Sequence, residues 1–391
     1  MLRILTLSTL FPDAGRPNFG VFVERQTIGL AAHPDVELKV MAPLGVAPWP
    51  LSRHALYAAR RALPRREIWK GLDVLRPLFP TIPGVGGRSS PALMARTLLP
   101  ILKDLRKTFA FDVIDAEFFY PEGPAAMKLS RALGIPFSIK ARGSDVHYWQ
   151  GRPGCREALV AAGRAADGLL AVSGALRDDM AALGIPRDRI RVHHTGVDLA
   201  QFRPSPDRQA AKAALGVDGP LILSVGYLIE RKGQRLVVEA MKALPDATLL
   251  IVGEGPDRAV LEAMIATPDL HGRVRLLGSQ PHAELPRLFA AADVMALPSA
   301  SEGLANVWVE ALACGTPIVI SDVGGAREVV DRPEAGRLAA RDVGAIAAAI
   351  GELLHAPPDP QSVRAAALRF TWEANTASLY AHLSGLVRPK S

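Results

Sequence analysis

Short apolar runs rich in β-branched residues alternate along the chain with segments of helical length. They fall into two series, separated by a polar, proline-rich stretch. The runs predict strands at Arg3–Ser8, Val36–Ala42, Asp112–Asp115, Phe137–Arg142 and Gly168–Val172, and then at Leu221–Val225, Thr248–Val252, Val274–Leu277, Val294–Leu297 and Ile318–Ser321. Strands that alternate with helices in this way are typical of parallel sheets. The pattern therefore predicts an α/β protein with two parallel sheets.

The breaks in this pattern predict two domains. A length of 391 residues points the same way, because a single hydrophobic core rarely grows that large. We predict a first domain over residues 1–203, a linker over 204–218, a second domain over 219–360 and a helical segment over 361–391 that packs back on the first domain. Open parallel sheets bind ligands at the carboxyl ends of their strands, so we expect a site in a cleft between the domains.

The most informative stretch runs from Pro298 to Pro317, after a predicted strand and into a predicted helix. The N-terminus of a helix favours an anion such as pyrophosphate. Glu302 lies just before this helix and Glu310 about two turns into it. A carboxylate accepts hydrogen bonds from two hydroxyls at once, as the diol of a sugar or a ribose presents them. The pattern indicates a nucleotide-sugar site, with the alternative that Glu302 caps the helix and Glu310 is exposed.

Two glutamates with seven residues between them resemble the signature of glycosyltransferase family 4, the retaining enzymes of the GT-B fold. Further matching segments are Gly196-Val197-Asp198 with Phe202 and Pro204, Ser224-Val225-Gly226 with Arg231-Lys232-Gly233, and Val252-Gly253-Glu254-Gly255-Pro256. The resemblance implies two Rossmann-like domains whose sheets face each other across a cleft. It also implies retaining transfer of a hexose-type sugar from a nucleotide diphosphate sugar to a glycan or lipid-linked acceptor, as in surface polysaccharide or glycolipid synthesis.

The resemblance assigns roles to residues of the second domain. Glu302 would bind hydroxyls of the donor sugar, and Glu310 would bind the ribose. Arg231 and Lys232 would neutralise the leaving diphosphate, because charge develops on the β-phosphate as the anomeric C–O bond breaks. The other donor-binding residues would be Gly226, Gly303, Leu304, Ala305, Asn306 and Val307. Since these cations take the place of a metal, we expect no metal and no cofactor; the nucleotide sugar is a co-substrate.

Two positions depart from the family pattern. Tyr227 stands where many relatives carry an arginine, and Arg231 is its candidate substitute. A histidine of some relatives is absent after the strand Asp112–Asp115, and Glu117 is the candidate catalytic residue in its place.

The remaining candidates, Gly20, Arg142, Asp145 and His147, are predicted acceptor-side or cleft residues of the first domain. Gly20 allows a close approach to substrate or belongs to an ordinary turn. Asp145 and His147 position the acceptor, or they are a helix cap and a solvent-exposed imidazole.

Charge is concentrated in one region of the chain. The whole chain carries +7, whereas the segment from Arg53 to Lys107 contains twelve Lys or Arg against three Asp or Glu, a net +9. Trp49, Tyr57 and Trp69 lie among these charges, as in segments that bind an anionic membrane surface. The alternative is a solvated excursion of the chain. No sequence motif for nucleic acid accompanies the charge, so we expect no nucleic-acid partner.

Only two cysteines occur, Cys155 and Cys314, and they are far apart without histidines at metal-ligand spacing. We expect a cytoplasmic protein, with peripheral attachment to the inner face of the cell membrane as an option. Two other functions share the expected architecture, a nucleotide-sugar 2-epimerase and a non-catalytic carbohydrate- or membrane-binding relative. A dehydrogenase fits less well, because no strand is followed by a full G-x-G-x-x-G turn.

Overall fold

A computed structural model describes residues 1–82 and 87–387 of the chain, with strands and helices alternating throughout. Up to residue 194 the elements are β1 (Leu2–Leu7), α1 (Val21–Ala31), β2 (Val36–Met41), β3 (Leu44–Val46), α2 (Ala55–Ala62), β4 (Arg66–Trp69), β5 (Leu72–Leu75), β6 (Leu78–Pro80), α3 (Ser90–Leu105), β7 (Val113–Ala116), α4 (Glu122–Leu133), β8 (Phe137–Ala141), α5 (Ser144–His147), α6 (Cys155–Ala165), β9 (Gly168–Ala171), α7 (Gly174–Ala182) and β10 (Ile190–Val192).

The second series of elements fills residues 195–371. It consists of α8 (Arg208–Ala213), β11 (Leu221–Val225), α9 (Gln234–Ala240), β12 (Thr248–Val252), α10 (Arg258–Ile265), β13 (Val274–Gly278), α11 (Leu285–Ala291), β14 (Val294–Leu297), α12 (Asn306–Ala313), β15 (Ile318–Ile320), α13 (Ala326–Val329), β16 (Gly336–Leu338), α14 (Val343–His355) and α15 (Pro360–Ala365). A last helix, α16 (Trp372–Ser384), follows. None of the described helices is both long and apolar enough to cross a membrane.

The elements form two compact units. The first unit comprises Met1–His194 and Trp372–Ser391, and the second comprises Thr195–Thr371. Residues 388–391, the end of the predicted last segment, lie outside the described residues.

The boundary at residue 195 differs from the predicted boundary at 203, and the reason is packing. Phe202 is fully buried in the second unit, where its ring lies 6.3 Å from that of Phe289. The predicted linker 204–218 contains α8, which packs against α11 and whose Lys212 Nζ lies 2.6 Å from an oxygen of Asp293. Helix α15, which we had assigned to the last segment, packs against α12 of the second unit.

The first unit is built on an eight-stranded sheet of order β10-β9-β8-β7-β1-β2-β5-β4. Its strands pair in parallel except β4, which is antiparallel to β5. Leu379 and Leu383 of α16 are buried with Ile4 of β1 and Val113 of β7 in one apolar cluster. The final helix therefore completes the core of the first unit.

The second unit is built on a six-stranded parallel sheet of order β13-β12-β11-β14-β15-β16. Apolar residues of β11, β12 and β14 pack against α9 and α14 in its main core. All five strands predicted in this unit form within one residue of their predicted ends, because continuous apolar runs can be buried on both faces of a sheet.

The basic region between Arg53 and Lys107 is partly folded into the first unit. Trp69 Nε1 and Lys70 Nζ both donate to the carboxylate of Glu24. Arg76 is fully buried, and its Nε lies 2.6 Å from Glu67 Oε1. The polar edge of Trp69 is therefore hydrogen-bonded within its own unit, and membrane binding by this segment stays a prediction.

Candidate functional site

The strand order of the second sheet places a crevice beside β11. Its neighbours are β12 on one side and β14 on the other, so the loops after β11 and after β14 leave the same edge toward opposite faces. Ligands of open parallel sheets bind at this reversal. The loop after β11 contains Arg231 and Lys232, and the loop after β14 contains Glu302 and Gly303.

The two loops place cations beside a carboxylate. Arg231 and Lys232 lie in a short 3₁₀ turn, Glu230–Lys232. Lys232 Nζ is 2.5 Å from Glu302 Oε1, and Arg231 Nη1 is 3.9 Å from the same oxygen. The side chain of Arg231 is 38% exposed, against 15% for Lys232 and 10% for Glu302. A lysine has three donor hydrogens, so Lys232 can bind Glu302 and an anionic ligand together.

Hydrogen bonds to backbone carbonyls join the loop after β11 to the loop after β14. The amide of Ala300 donates to the carbonyl of Arg231 at 2.7 Å. Arg341 joins the two loops, donating from Nε to the carbonyl of Pro298 at 2.9 Å and from Nη2 to that of Glu230 at 2.7 Å. The sequence did not indicate Arg341, because a single arginine in a polar loop carries no local signal.

A third loop, after β15, contacts the loop that carries Glu302. The amide of Gly325 donates to the carbonyl of Gly303 at 2.7 Å. Gly324 has φ +53°, and a Cβ there would lie 2.2 Å from the carbonyl oxygen of Glu302, so only glycine fits. Sequence reasoning missed this pair, although two consecutive glycines after a predicted strand are a readable turn signal.

Helix α12 begins at this edge, and its N-cap residue, Ala305, makes no side-chain capping hydrogen bond. Ala305 precedes the helix in an extended conformation, and Asn306 and Val307 form its first turn. The first N–H groups of a helix lack intrahelical partners and carry partial positive charge. Leu304 is buried just before them. The predicted phosphate-binding residues therefore lie where an anion would be stabilised.

Buried polar atoms without partners cluster at the same strand ends. The hydroxyls of Ser224, within β11, and of Ser299 and Ser321, after β14 and β15, have no hydrogen-bond partner among the described residues. Gly226 follows Ser224 and Val225, and a Cβ there would contact its neighbours only at 3.5 Å or more.

Glu310 is buried rather than exposed, contrary to the alternative considered from sequence. The residue is 8% exposed on α12, and its Oε1 lies 2.8 Å from His282 Nε2. His282 begins a 3₁₀ turn between β13 and α11. The sequence did not identify His282, since 28 residues separate it from Glu310.

Glu117, the catalytic candidate of the first unit, is sealed within it. Its carboxylate accepts from Gln26 Nε2 on one oxygen and from Arg142 on the other, and the residue is fully buried. Burial opposes its charged form, but Arg142 and Lys140 outweigh burial and lower the pKa of Glu117 to about 2. Glu117 is an internal ion-pair partner of Arg142 here. Its catalytic role stays a prediction.

The polar network continues from Glu117 to the last helix. Lys140 Nζ contacts Gln26 Oε1 and lies 2.6 Å from His193 Nδ1, and His193 Nε2 lies 2.9 Å from the carbonyl of Asn375. Burial, followed by repulsion from Arg142, lowers the pKa of Lys140 to about 7. Burial and the charge of Lys140 lower the pKa of His193 well below its usual value. His193 therefore serves as a neutral link between the sheet and α16.

Asp145 and His147 occupy structural positions. Asp145 lies within α5 and accepts from the backbone amides of Phe119, Arg142 and Gly143, all of which precede that helix. His147 Nε2 lies 2.9 Å from Asp179 Oδ2.

Gly20 lies close to the backbone of Leu10. Its φ is +71°, and a Cβ there would lie 1.5 Å from the carbonyl oxygen of Leu10. The requirement for glycine at this position therefore comes from the protein backbone.

Within residues 1–82 and 87–387 we find no group of three or more His, Cys, Asp or Glu side chains that could hold a metal ion. Both cysteines are free thiols and buried.

Two family models match the chain, one on each half. Residues 46–201 match the model "Glycosyltransferase Family 4", and residues 207–370 match "Glycosyl transferases group 1". A putative teichuronic acid biosynthesis glycosyltransferase of Bacillus subtilis is 29% identical over 366 residues, which cover 90% of each protein. A D-inositol 3-phosphate glycosyltransferase of Mycobacterium tuberculosis is 40% identical over 207 residues, or 49% of this chain and 43% of that protein.

Solved structures agree on the architecture. A sucrose-phosphate synthase of Thermosynechococcus elongatus superimposes with a TM-score of 0.77 at 22% identity, over 98% of this chain and 100% of that one. Anabaena HepE, solved in complex with UDP-glucose, superimposes with a TM-score of 0.73 at 21% identity, over 98% of this chain and 100% of its own. The predicted α/β fold of the GT-B type is thereby confirmed. Because these matches extend over both halves and agree with the glutamate signature, the chain belongs to the group 1 glycosyltransferases of family 4.

Proposed function

We propose that this glycosyltransferase transfers a hexose-type sugar, with retention, from a nucleotide diphosphate sugar to a glycan or lipid-linked acceptor. The observation that carries the proposal is the pairing of Lys232 with Glu302 at the reversal of the second sheet, next to the N-terminus of α12. A diphosphate needs cations and N–H donors, and a sugar needs a carboxylate that accepts from its hydroxyls. This edge brings the three together.

In the proposed reaction, Arg231, Lys232 and the first turn of α12 bind the diphosphate. As the bond from the anomeric carbon to the β-phosphate oxygen breaks, its electron pair stays with the phosphate, and these groups stabilise the charge that develops. The acceptor oxygen bonds to the anomeric carbon from the same face, and its proton passes to the departing phosphate. Glu302 binds the hydroxyls of the donor sugar.

Relatives suggest the classes of donor and acceptor. HepE was solved with UDP-glucose, and the Bacillus relative is a putative enzyme of teichuronic acid biosynthesis. We therefore propose a uridine diphosphate hexose as the first donor to test and a surface polysaccharide or its lipid-linked precursor as the acceptor. We also propose that the reaction needs no metal, since Arg231 and Lys232 supply positive charge at the phosphate.

A donor screen tests this proposal. UDP-, GDP- and ADP-hexoses are added to the purified protein, and the shift in unfolding temperature, donor hydrolysis and transfer are measured with and without EDTA. A ligand at 100 times its Kd adds about 2.7 kcal/mol to the stability of the protein that binds it. We expect one nucleotide to stabilise the protein and sugar release or transfer to persist in EDTA, with the anomeric configuration of the product retained in its NMR spectrum.

Other outcomes of the screen identify the alternatives. Interconversion of the sugar nucleotide without an acceptor would indicate a 2-epimerase. Binding without any turnover would indicate a non-catalytic relative. Activity that EDTA removes and magnesium or manganese restores would refute the metal-free proposal.

We further propose that the surface around α2 binds an anionic lipid membrane, where a lipid-linked acceptor would lie. None of the residues of α2, all of them described, is buried. Trp49 is 73% exposed and Leu56 46%, and the exposed Arg53 and Arg61 lie in the same segment. Each basic residue near an anionic surface contributes about 1 kcal/mol. The charge of the segment therefore complements phosphatidylglycerol headgroups.

Sedimentation with vesicles tests the membrane proposal. Phosphatidylglycerol vesicles should pellet the protein at low salt, and high salt should release it, because a screened contact weakens with ionic strength. Replacing Arg53 and Arg61 by Glu should abolish pelleting, whereas Arg156→Glu with Arg187→Glu, the same charge change elsewhere in the first unit, should not. Protein that stays in the supernatant at low salt contradicts the proposal.

A further inference from the structure

The carboxylate of Glu310 is held by a side chain that nothing in the sequence assigned to the site. His282 Nε2 lies 2.8 Å from Glu310 Oε1, and the side chains are 20% and 10% exposed. A carboxylate oxygen can only accept a hydrogen bond, so the imidazole donates from Nε2–H in this pair. One oxygen of Glu310 is thus fixed by a donor, while the carboxylate keeps lone pairs on both oxygens for a ligand.

The imidazole of His282 packs against two aromatic residues, Phe202 and behind it Phe289, which we call the aromatic shelf. The ring of Phe202 is fully buried and packs edge-on to His282, with ring centroids 5.4 Å apart and planes at 64°. On another side, Phe202 packs against Phe289 at 6.3 Å. The backbone of Phe202 is anchored too, because Arg364 donates to its carbonyl at 2.6 Å.

Arg364 also connects the aromatic shelf to α12, the helix that carries Glu310. Arg364 Nη2 donates to the carbonyl of Leu199 at 2.7 Å, and Nη1 also contacts the carbonyl of Ala313, the last residue of α12. The same guanidinium therefore binds both the segment that carries Phe202 and the end of α12. This arrangement fixes the distance between the shelf and the carboxylate before any ligand binds.

From this geometry we propose that His282 is a positioning residue, which orients the carboxylate of Glu310 to accept both hydroxyls of the donor ribose. The proposal rests on the proposed function, in which Glu310 contacts that ribose. A buried carboxylate that is already oriented loses less conformational freedom when the diol binds, and preorganisation of this kind raises affinity. The effect of His282 should therefore depend on the diol and vanish for a ligand that lacks it.

A comparison of two ligands and two substitutions tests the proposal. The ligands are UDP and 2′,3′-dideoxy-UDP, with the corresponding ADP and GDP pairs used if the wild-type protein prefers another base. His282→Phe keeps a ring against Phe202 but removes the donor, whereas His282→Gln keeps an N–H that can reach Glu310. Calorimetry gives each Kd, and circular dichroism shows that each variant is folded.

We expect His282→Phe to weaken binding of the ribonucleotide about tenfold, the equivalent of one hydrogen bond to a charged group, and to leave binding of the dideoxy ligand unchanged. His282→Gln should restore most of the affinity. In turnover, KM for the donor should rise in His282→Phe while kcat stays nearly constant, because the lost contact exists in both the ground state and the transition state.

Equal losses for both ligands in His282→Phe would overturn the proposal and leave His282 with a purely structural role. If that variant does not fold, Phe202→Leu provides the same test from the shelf, with the same diol-dependent loss expected and an equal loss for both ligands counting against it. A wild-type protein that binds the two ligands equally would instead reject the contact of Glu310 with the ribose, and with it the assigned donor site.

Discussion

In both sheets the strand order reverses at the first strand of the unit. The loops at this reversal make different contacts in the two units. In the first unit β1 lies between β2 and β7, and in the second β11 lies between β12 and β14. After β1, the amide and hydroxyl of Thr9 both donate to Glu122 Oε1, at 2.6 and 2.8 Å, and Glu122 is fully buried. After β11, Lys232 and Glu302 pair while the guanidinium of Arg231 remains more than a third exposed.

The contrast shows that the fold alone does not decide where a ligand binds. In the first unit the loop after β1 binds the carboxyl group of Glu122, and Glu117 is enclosed by Gln26 and Arg142. In the second unit the corresponding loops are joined by hydrogen bonds to backbone carbonyls and by the side chains of Arg231 and Lys232, which donate to Ser301 and Glu302. The side chain of Arg231 nevertheless stays 38% exposed. Charged groups of the first unit should therefore govern stability, and those of the second unit should govern activity.

The largest effect is expected from breaking the ion pair inside the first unit. Glu117→Ala leaves Arg142 and Lys140 buried without their carboxylate, and removing one partner of a buried pair costs about 3–5 kcal/mol. Urea unfolding measures this loss. Asp104→Ala, which breaks the exposed pair with Lys107, should leave the free energy of unfolding nearly unchanged. A stable Glu117→Ala protein without activity would instead support the catalytic role predicted from the sequence.

The next largest effect is expected on turnover in the second unit. Lys232→Ala removes a cation from the leaving diphosphate, and loss of one such group lowers kcat by about 100- to 1000-fold. Lys242→Ala is the matched control, because Lys242 pairs with Glu239 on the surface of the same unit. Steady-state kinetics and thermal unfolding are measured together. A normal kcat in Lys232→Ala would remove this residue from the diphosphate site.

The smallest effect is a pH dependence of stability in the first unit. Burial raises the pKa of Glu122 to about 8 from 4.5, although its bonds from Thr9 oppose the rise. Between these values the folded protein holds a proton that the unfolded chain releases. The resulting stabilisation is complete below pH 4.5 and is lost as pH rises through 8.

Glu122→Gln should remove this dependence. From pH 5 to 7 the free energy of unfolding of the wild type should fall, relative to the variant, by about 1 kcal/mol per pH unit. Urea unfolding at three pH values measures the difference, with Glu157→Gln on the exposed side of α6 as the control. Parallel curves for wild type and Glu122→Gln would mean that Glu122 keeps an ordinary pKa.

The sequence by itself determined the alternation of strands and helices and the region of the donor site. Continuous apolar runs such as Leu221–Val225 have only one stable environment, a sheet covered on both faces, so their positions could be predicted within a residue. The signature from Glu302 to Glu310 is local, because a strand end, a loop and a helix N-terminus occur within one short stretch. Short strands with weak patterns, such as β10 and β16, were not predicted.

Only the tertiary structure decided which charged residues are internal and which remain at a strand edge. Glu117 and Glu302 both follow strands, yet Glu117 contacts Gln26 of α1 and Arg142, the residue after β8, whereas Glu302 contacts Lys232 in the loop after β11. The partners of a buried charge lie tens of residues away, as His282 does from Glu310, and no local pattern encodes such a pairing. A charge can be buried only when the folded chain supplies its counter-charge and hydrogen bonds, so its role depends on the complete fold.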